Sequence, residues 1–412
     1  MIEEVYLDYA AATPVSPKVF EAMKPYFIEQ FGNPGSVHTK GQEGRRAVDT
    51  ARRTCSEILN CEPREVIFTA SGTESDNLAI QGICYAYADE VRNSALDQKP
   101  HIITSNAEHS AVLNTIEYLE KNHNFDVTYI EVDEFGMVSP KKVAEAIREE
   151  TIFCSIMYAN NEVGAINPIA EIAKICHESK GRNGKGVIFH TDACQAGGAL
   201  PLDVQALDVD LMTLNGSKIY GPKGIGVLYK KQSFKIIPMI FGGEGQEHRL
   251  RAGTENVPAI VGLAEALKLA EKFRNGEIVD GMALKNLVEL RDYLTEEILK
   301  NIPDSYLNGP MGNGQAINRL PNNVNISFAG IDGAMLLMKL DTAGIYTTSG
   351  SACTSGSLDP SHVLIAMGKG EELATGAIRL SLGHSTTKAE LDYVIKTLTT
   401  AIHDLRDSSP TY

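Results

Sequence analysis

The feature that most constrains the fold of this chain is an alternation of short apolar runs with helical patterns. The runs, rich in Val, Ile and Phe, fall at residues 66–68, 101–104, 127–130, 151–158, 187–190 and 209–212. Helical patterns lie between them, from Glu74, at 110–121, after Pro140 and at 169–179. Strands that alternate with helices pair in parallel and are joined by crossover helices. The sequence therefore predicts an α/β fold with a mostly parallel sheet covered by helices.

A different pattern begins after Val257. Residues 259–273 and 284–301 have the period of two long amphipathic helices. A loop rich in Gly, Asn and Pro at 308–323 precedes a predicted strand at 324–328 and a predicted helix at 333–340. We predict two domains: a large one over residues 15–262, and a smaller α+β domain formed by residues 1–14 together with 263–412.

Composition excludes several classes of partner. The chain has 53 acidic and 38 basic residues, a net charge of −15, which disfavours binding to nucleic acid or an anionic membrane. No apolar run approaches the roughly 20 residues of a membrane helix, and the acidic start does not resemble a secretory signal. The seven cysteines are scattered without a C-x-x-C pair, which predicts free thiols, no zinc site and a cytoplasmic protein.

Ser71, Gly72 and Thr73 lie between a predicted strand and a predicted helix. Backbone N–H groups and hydroxyls at a helix N-terminus can bind a phosphate. The alternative is an ordinary N-cap, in which Ser or Thr satisfies its own helix.

Asp192 and Gln195 follow the strand that ends near His190, at the edge where parallel sheets bind ligands. The alternative for Asp192 is a solvated carboxylate in a turn. Lys218 follows the next strand beside small residues, and a desolvated lysine there could form a Schiff base. Most lysines are merely solvated, so position alone leaves its role open.

Two further features lie near the C-terminus. Cys353 stands in a loop of Ser, Thr and Gly over residues 347–357, a setting in which a thiol would be accessible for catalysis. The alternative is that the cysteine lies in this loop by chance. Arg379 stands alone in a β-like apolar run, where it would bind a carboxylate, either of a substrate or of a structural salt bridge.

Taken in order, seven short motifs resemble the cysteine desulfurases, which are fold-type I pyridoxal-phosphate (PLP) enzymes of the class V aminotransferase group. The motifs are Ser-Gly-Thr-Glu-Ser from Ser71, Glu-His-Ser-Ala-Val from Glu108, Asn-Asn-Glu-Val-Gly from Asn160, Asp-Ala-Cys-Gln from Asp192, Lys-Ile-Tyr-Gly-Pro-Lys-Gly from Lys218, Arg-Ala-Gly-Thr from Arg251 and Ser-Gly-Ser-Ala-Cys-Thr-Ser from Ser349. The resemblance runs from Leu7 to Gly383, and the cysteine loop is similar to that of the NifS/IscS branch.

The resemblance implies a role for each matching residue. Lys218 would bind PLP covalently and later move the Cα proton, and Asp192 would keep the pyridine nitrogen protonated. His109 would stack on the ring and act in catalysis as a candidate base for the Cys353 thiol. Gln195 and Asn161 would lie against the ring oxygen and the substrate side. Arg379 would bind the substrate carboxylate and Cys353 would attack its sulfur. The PLP phosphate would be bound by Gly72, Thr73 and Ser217, and by Thr254 of the other subunit of a homodimer.

The activity implied is conversion of L-cysteine to L-alanine, with a persulfide left on Cys353. The sulfur would pass to an iron–sulfur scaffold or a tRNA-thiolation relay, with no resident metal and Cys353 at most a transient iron–sulfur ligand. A selenocysteine lyase or a PLP aminotransferase of the same fold is the alternative enzyme, and a sulfur-trafficking scaffold without PLP is the non-catalytic one. One departure from the family is Ser217, where a histidine usually precedes the PLP lysine; a serine hydroxyl can still donate to a phosphate.

Overall fold

A seven-stranded sheet forms the centre of the larger part of the molecule. The computed structural model describes residues 4–92, 98–243, 245–311, 318–350 and 360–408. The strand order is β2-β8-β7-β6-β5-β3-β4. Its strands are β2 (Val66–Thr69), β3 (His101–Ser105), β4 (Asp126–Ile130), β5 (Thr151–Ser155), β6 (Ile188–Asp192), β7 (Leu211–Asn215) and β8 (Gly226–Lys230). β4, β3, β5, β6 and β7 are mutually parallel, and β8 runs antiparallel between β7 and β2. The predicted fold class is confirmed.

Both faces of this sheet are covered, because successive side chains of a strand point to opposite sides. Ile102 and Ile188 pack into one apolar core, whereas their neighbours Ile103 and Phe189 pack into the other. The first core is covered by α4 (Gly72–Arg92) and α5 (Ser110–His123). The second is covered by α3 (Thr39–Leu59), α7 (Ile169–Glu178) and α10 (Val257–Arg274). Sheets buried on both faces are typical of parallel α/β folds.

A second, smaller group of strands lies in the C-terminal part of the chain. β9 (Ser305–Leu307), β10 (Asn323–Phe328) and β12 (Ala377–Ser381) form an antiparallel sheet in the order β12-β10-β9. β1 (Val5–Tyr6) pairs in parallel with β11 (Ile345–Tyr346), so the N-terminal residues join this part. That pairing agrees with grouping residues 1–14 with 263–412, although α10 extends across the proposed boundary at 262/263. The domain boundaries stay a prediction.

The remaining helices connect or flank these sheets. They are α1 (Pro17–Met23), α2 (Pro25–Ile28), α6 (Pro140–Ala146), α8 (Gly181–Gly184), α9 (Val204–Leu207), α11 (Leu284–Asn301), α12 (Gly333–Thr342), α13 (His362–Ala366), α14 (Glu371–Thr375) and α15 (Lys388–Ser408). Within the part of the chain that the structure describes, none of the helices is both long and apolar enough to cross a bilayer.

Candidate active site

A cavity of about 230 Å³ lies where the strands of the large sheet end. The segments that follow the carboxyl ends of β2, β3, β5, β6 and β7 all contribute side chains to its wall. This is the edge at which open parallel sheets bind ligands. Eight of the predicted site residues line it: Gly72, Thr73, His109, Asn161, Asp192, Gln195, Lys218 and Arg379.

Lys218 ends a short 3₁₀ turn that directly follows β7. Its Nζ donates to the backbone carbonyls of Ala10, at 2.9 Å, and Ala11, at 2.5 Å. Gln195 donates to the same Ala10 oxygen at 2.9 Å. The N-terminal segment therefore holds the amine of Lys218 at the wall of the cavity, where a carbonyl ligand could reach it.

Asp192 is the last residue of β6 and is 6% exposed. Its Oδ1 accepts the N–H of Cys194 at 2.9 Å, which fixes the carboxyl group at the sheet edge. The thiol of Cys194 lines the same cavity, and burial raises its pKa well above the ordinary value. Asp192 is thus a positioned carboxyl group rather than a solvated turn residue.

Two buried carboxyl groups that the sequence analysis did not single out lie near Asp192. Asp76 is 1% exposed and Glu108 is 0% exposed, and Asp76 Oδ1 and Glu108 Oε2 have no hydrogen-bond partner among the described residues. Burial raises the pKa of Glu108 to about 8, with a smaller contribution from Asp192. Burial and the charge of Asp192 also raise the pKa of Asp76. Both effects favour the neutral acids.

Gly72 is the first residue of α4. Ser71 accepts two hydrogen bonds from this helix: its hydroxyl accepts the N–H of Glu74, and its carbonyl accepts the N–H of Ser75. Ser71 is therefore an N-cap, and Gly72 and Thr73 in the first turn line the cavity. A Cβ on Gly72 would lie only 2.7 Å from the sulfur of Cys194. This close approach explains why glycine occupies the position.

His109 is the N-cap of α5, and its Nδ1 accepts the N–H of Ala111 at 3.1 Å. The neutral ring then carries its hydrogen on Nε2, which makes that nitrogen a donor. Asn161 faces the same cavity, so the ring of His109 and the amide of Asn161 both border the space expected for a ligand.

Arg379, in β12, is 2% exposed. Its contacts agree with both alternatives, a structural salt bridge and a group available to a substrate carboxylate. Its Nη2 donates to Asp8 at 2.8 Å, and its Nη1 to the carbonyls of Asn161 and Gly350 at 3.0 and 3.3 Å. Its buried Nε has no hydrogen-bond partner among the described residues. The residue is therefore a structural ion pair that also presents a guanidinium to the cavity wall.

Three predicted residues are not brought into the cavity of the described chain. The hydroxyl of Ser217 donates to Asn215 Oδ1 at 3.1 Å, and Asn215 lines the cavity in its place. Thr254 is exposed, and Cys353 lies outside the described residues. The roles of all three stay predictions.

The lining residues fit pyridoxal phosphate. The N–H groups of Gly72 and Thr73 in the first turn of α4 suit a phosphate, Asp192 suits a pyridinium nitrogen, and Lys218 carries the primary amine that an aldehyde requires. Asp76 Oδ1 and Arg379 Nε, which lack a hydrogen-bond partner among the described residues, are buried polar atoms of the kind that a ligand satisfies. Among the described residues, no group of His, Cys, Asp and Glu is arranged to hold a metal ion.

Comparison with known proteins shows the family of the chain. Residues 5–394 match the family model described as aminotransferase class-V. The chain belongs to the class-V aminotransferase family, whose members are PLP-dependent enzymes.

Two of the most similar curated relatives are cysteine desulfurases. It is 46% identical over 410 residues to a cysteine desulfurase IscS of Dictyoglomus turgidum, covering 100% of this chain and 97% of that one. It is 46% identical over 406 residues to the cysteine desulfurase IscS of Methanosarcina thermophila, covering 98% and 94%.

The solved structures agree. A NifS-like protein superposes with a TM-score of 0.85 at 34% identity, over 97% of this chain and 100% of that one. SspA, solved in complex with cysteine, gives 0.76 at 34% identity, over 93% and 99%.

Proposed function

We propose that this protein is a PLP-dependent cysteine desulfurase that converts L-cysteine to L-alanine and leaves a persulfide on Cys353. The observation that carries the proposal is the single cavity that gathers Lys218, Asp192, His109 and Arg379, in a chain that full-length relatives named cysteine desulfurase match throughout. When bound, PLP supplies an electron sink that acidifies the substrate Cα–H and activates the sulfur for removal.

The residues of the chain bind and orient the reactants. Lys218 would hold the cofactor and move the Cα proton, and Asp192 would keep the ring nitrogen protonated. His109 would contact the ring, and Gln195 and Asn161 would help to hold it. Gly72 and Thr73 would bind the phosphate, together with Ser217.

Arg379 orients the substrate through its carboxylate. Its guanidinium lines the cavity, and its buried Nε is free of a partner among the described residues. A planar guanidinium binds a carboxylate with both charge and direction. The ion pair with Asp8 keeps that guanidinium fixed before the substrate enters.

The wider setting is also part of the proposal. We propose a homodimer in which Thr254 of one subunit contacts the phosphate bound by the other. The sulfur then goes to an iron–sulfur scaffold or to a tRNA-thiolation relay protein. We place the protein in the cytoplasm, and we propose neither a nucleic-acid nor a membrane partner.

Replacement of the nucleophile tests the activity. Cys353→Ser should keep the cofactor absorbance and its spectral change on addition of L-cysteine, but lose alanine formation and the protein-bound persulfide together. Cys61→Ser is the matched control, because Cys61 is a half-buried free cysteine outside the cavity lining, and it should keep both products. If Cys353→Ser makes alanine at the wild-type rate, the persulfide mechanism is wrong and the protein is a lyase.

A further inference from the structure

A buried ion pair outside the cavity connects two distant segments of the chain. Arg52, in α3, is 8% exposed and Glu247 is 4% exposed. Two bonds join them: Arg52 Nη1 donates to Glu247 Oε2 at 2.8 Å, and Nη2 donates to Oε1 at 2.6 Å. A bidentate pair of this kind fixes direction as well as position. Glu247 is therefore held in one orientation, and the roles proposed above use neither residue.

The same pair closes the free edge of β2, which is the edge strand of the large sheet. The carbonyl of Val66 accepts from Arg52 Nη1 at 2.5 Å, and the N–H of Phe68 donates to Glu247 Oε2 at 2.8 Å. For these two backbone groups the ion pair takes the place of a neighbouring strand. Because β2 leads directly into Gly72, Glu247 is docked on the strand that precedes the first turn of α4.

Glu247 also begins a left-handed turn that contains no glycine. The φ angles of Glu247, His248 and Arg249 are 39°, 56° and 69°. The N–H of Arg249 donates to the Gln246 carbonyl at 2.8 Å, and that of Leu250 to the Glu247 carbonyl at 2.9 Å. Residues with a Cβ adopt this conformation singly and seldom in succession, because the Cβ approaches the following carbonyl. Such strain persists only where surrounding contacts hold it, and Glu247 is the buried residue of the three.

The chain beyond this turn is bound to the start of α4. Arg251 Nε donates to Glu74 Oε1 at 2.9 Å, and its Nη2 donates to Oε2 at 3.4 Å. Glu74 Oε2 also accepts the N–H of Ala70 at 3.0 Å. Glu74 thereby ties the segment before the helix to its first turn, and Arg251 holds the carboxylate in that place. Residues 246–251 therefore bridge β2 and the turn that carries Gly72 and Thr73.

We propose that Arg52 and Glu247 are positioning residues for the cofactor phosphate, an inference that rests on the proposed function. The ion pair holds the left-handed turn, and the turn sets Arg251 against Glu74. Glu74 in turn supports the first turn of α4, where the phosphate is proposed to bind. Without the anchor the left-handed turn relaxes, since residues with a Cβ favour other conformations. Arg251 then leaves Glu74, and phosphate binding weakens although every residue that lines the cavity is present.

The test measures the affinity of the full-length apoprotein for PLP by fluorescence titration. Glu247→Gln keeps the size of the side chain and an acceptor for the Phe68 N–H, but loses the charge that binds Arg52. The Kd for PLP should rise by about 10-fold, the order expected for loss of a charge-assisted hydrogen bond. Glu271→Gln is the matched control, because it removes the carboxylate of the Glu271–Arg274 ion pair at the end of α10. Its Kd should be unchanged.

A double-mutant cycle separates positioning from a general loss of stability. Arg251→Gln should itself raise the Kd, and in that background Glu247→Gln should add little, because the contact through which the anchor acts is already absent. Hydrogen exchange at the amides of Arg249 and Leu250 should be faster in Glu247→Gln, since these two bonds close the turn. Additive effects on the Kd, as a merely structural role predicts, would overturn the proposal. An unchanged Kd or unchanged exchange in Glu247→Gln would do the same.

Arg52→Lys is a second variant that keeps the charge and loses the planar fork. It should raise the Kd in the same way, and its effect should also disappear in the Arg251→Gln background. It tests the proposal equally well if Glu247→Gln does not fold, and an unchanged Kd would again overturn it. A wild-type protein that does not bind PLP would instead overturn the proposed function.

Discussion

At the scale of single residues, the site depends on side chains that have two tasks. Arg379 is tied to Asp8 and to two backbone carbonyls, yet it also borders the cavity. Arg379→Lys keeps the charge and loses the planar fork. Hydrogen bonds to charged groups contribute about 1.5–3 kcal/mol, so kcat/KM for L-cysteine should fall by about 10–100-fold.

Measurement of cofactor retention separates this effect from damage to the site. Arg379→Lys should bind PLP nearly as well as the wild type, because Arg379 is proposed to act on the substrate. Asp8→Asn is the companion variant: it leaves the guanidinium in place and should reduce stability more than substrate use. Unchanged kinetics in Arg379→Lys would mean that the arginine is structural alone.

The buried carboxyl of Glu108 should make stability depend on pH. Its pKa in the folded protein is about 8, against an ordinary value of 4.5. Between these values the folded state holds more protons than the unfolded chain. The free energy of unfolding therefore falls as pH rises, by at most about 1.4 kcal/mol per pH unit for one group.

Glu108→Gln removes this contribution. Urea unfolding of the apoprotein at several pH values should show the variant gaining stability relative to the wild type as pH rises from about 5 to about 8. Glu145→Gln, at an exposed position on α6, should follow the wild-type slope. A Glu108→Gln slope identical to that of the wild type would show that Glu108 is ionised throughout.

At the scale of elements, the first turn of α4 packs closely against the residues that follow β6 and the end of β7, so that a side chain at Gly72 would clash with them. A Cβ on Gly72 would lie 2.7 Å from Cys194 Sγ and 3.4 Å from Asn215 Cβ. Overpacking of this kind costs about 1–3 kcal/mol. We therefore expect Gly72→Ala to lower stability by that amount and to weaken PLP binding, measured by fluorescence titration.

A double-mutant cycle identifies the clash as the cause. Cys194→Ala removes the sulfur that the new methyl group would meet, so Gly72→Ala combined with Cys194→Ala should recover most of the loss. Gly370→Ala, at a position with open space around its Cβ, is the neutral control. No recovery in the double variant would contradict this account.

The elements differ in how well the sequence predicts them. The helices expected at 259–273 and 284–301 are observed as Val257–Arg274 and Leu284–Asn301. The agreement is close because the amphipathic pattern repeats over several helical turns. The strand expected at 151–158 ends at Ser155. The apolar run continues beyond it because the next residues, including Tyr158, bond to the end of β6 and remain buried.

The site was predicted as far as its residues belong to recognisable motifs. Asp76, Glu108 and His362 were not predicted as site residues, because each is brought to the site by neighbours that are distant in the chain. His362 contacts the Glu108 carbonyl across 254 residues. A search for polar residues one helical turn beyond Thr73 would have found Asp76. No sequence pattern could show that Asp8 pairs with Arg379.

At the scale of the whole molecule, exposed apolar side chains are concentrated in one stretch that runs from α2 to the start of α3. Phe27, Ile28, Phe31 and Val37 are 56%, 80%, 69% and 93% exposed. Large exposed apolar groups are typical of surfaces that another chain covers. This supports the proposed homodimer, which sedimentation should detect at working concentrations.

Subunit mixing tests whether Thr254 acts on the other subunit. Lys218→Ala lacks the cofactor-binding amine, and Thr254→Ala should lose cofactor more readily. If Thr254 acts in trans, a mixed dimer has one intact site, so a refolded equimolar mixture should regain about a quarter of wild-type sites. If activity does not exceed that of the separate variants, Thr254 acts within its own chain or not at all.

The contacts of Ala10 have a consequence for the order in which the molecule is completed. Its carbonyl accepts from Lys218, 208 residues away, and its N–H donates to Ser381, 371 residues away. Loop closure over such separations is slow and comes late in folding. A ribosome-bound chain that stops before β11 therefore lacks Tyr346, Arg379 and Ser381, which pair with Tyr6, Asp8 and Ala10 in the complete chain. We expect such nascent chains to show no cofactor absorbance, and expect it to develop only after release of the full-length chain.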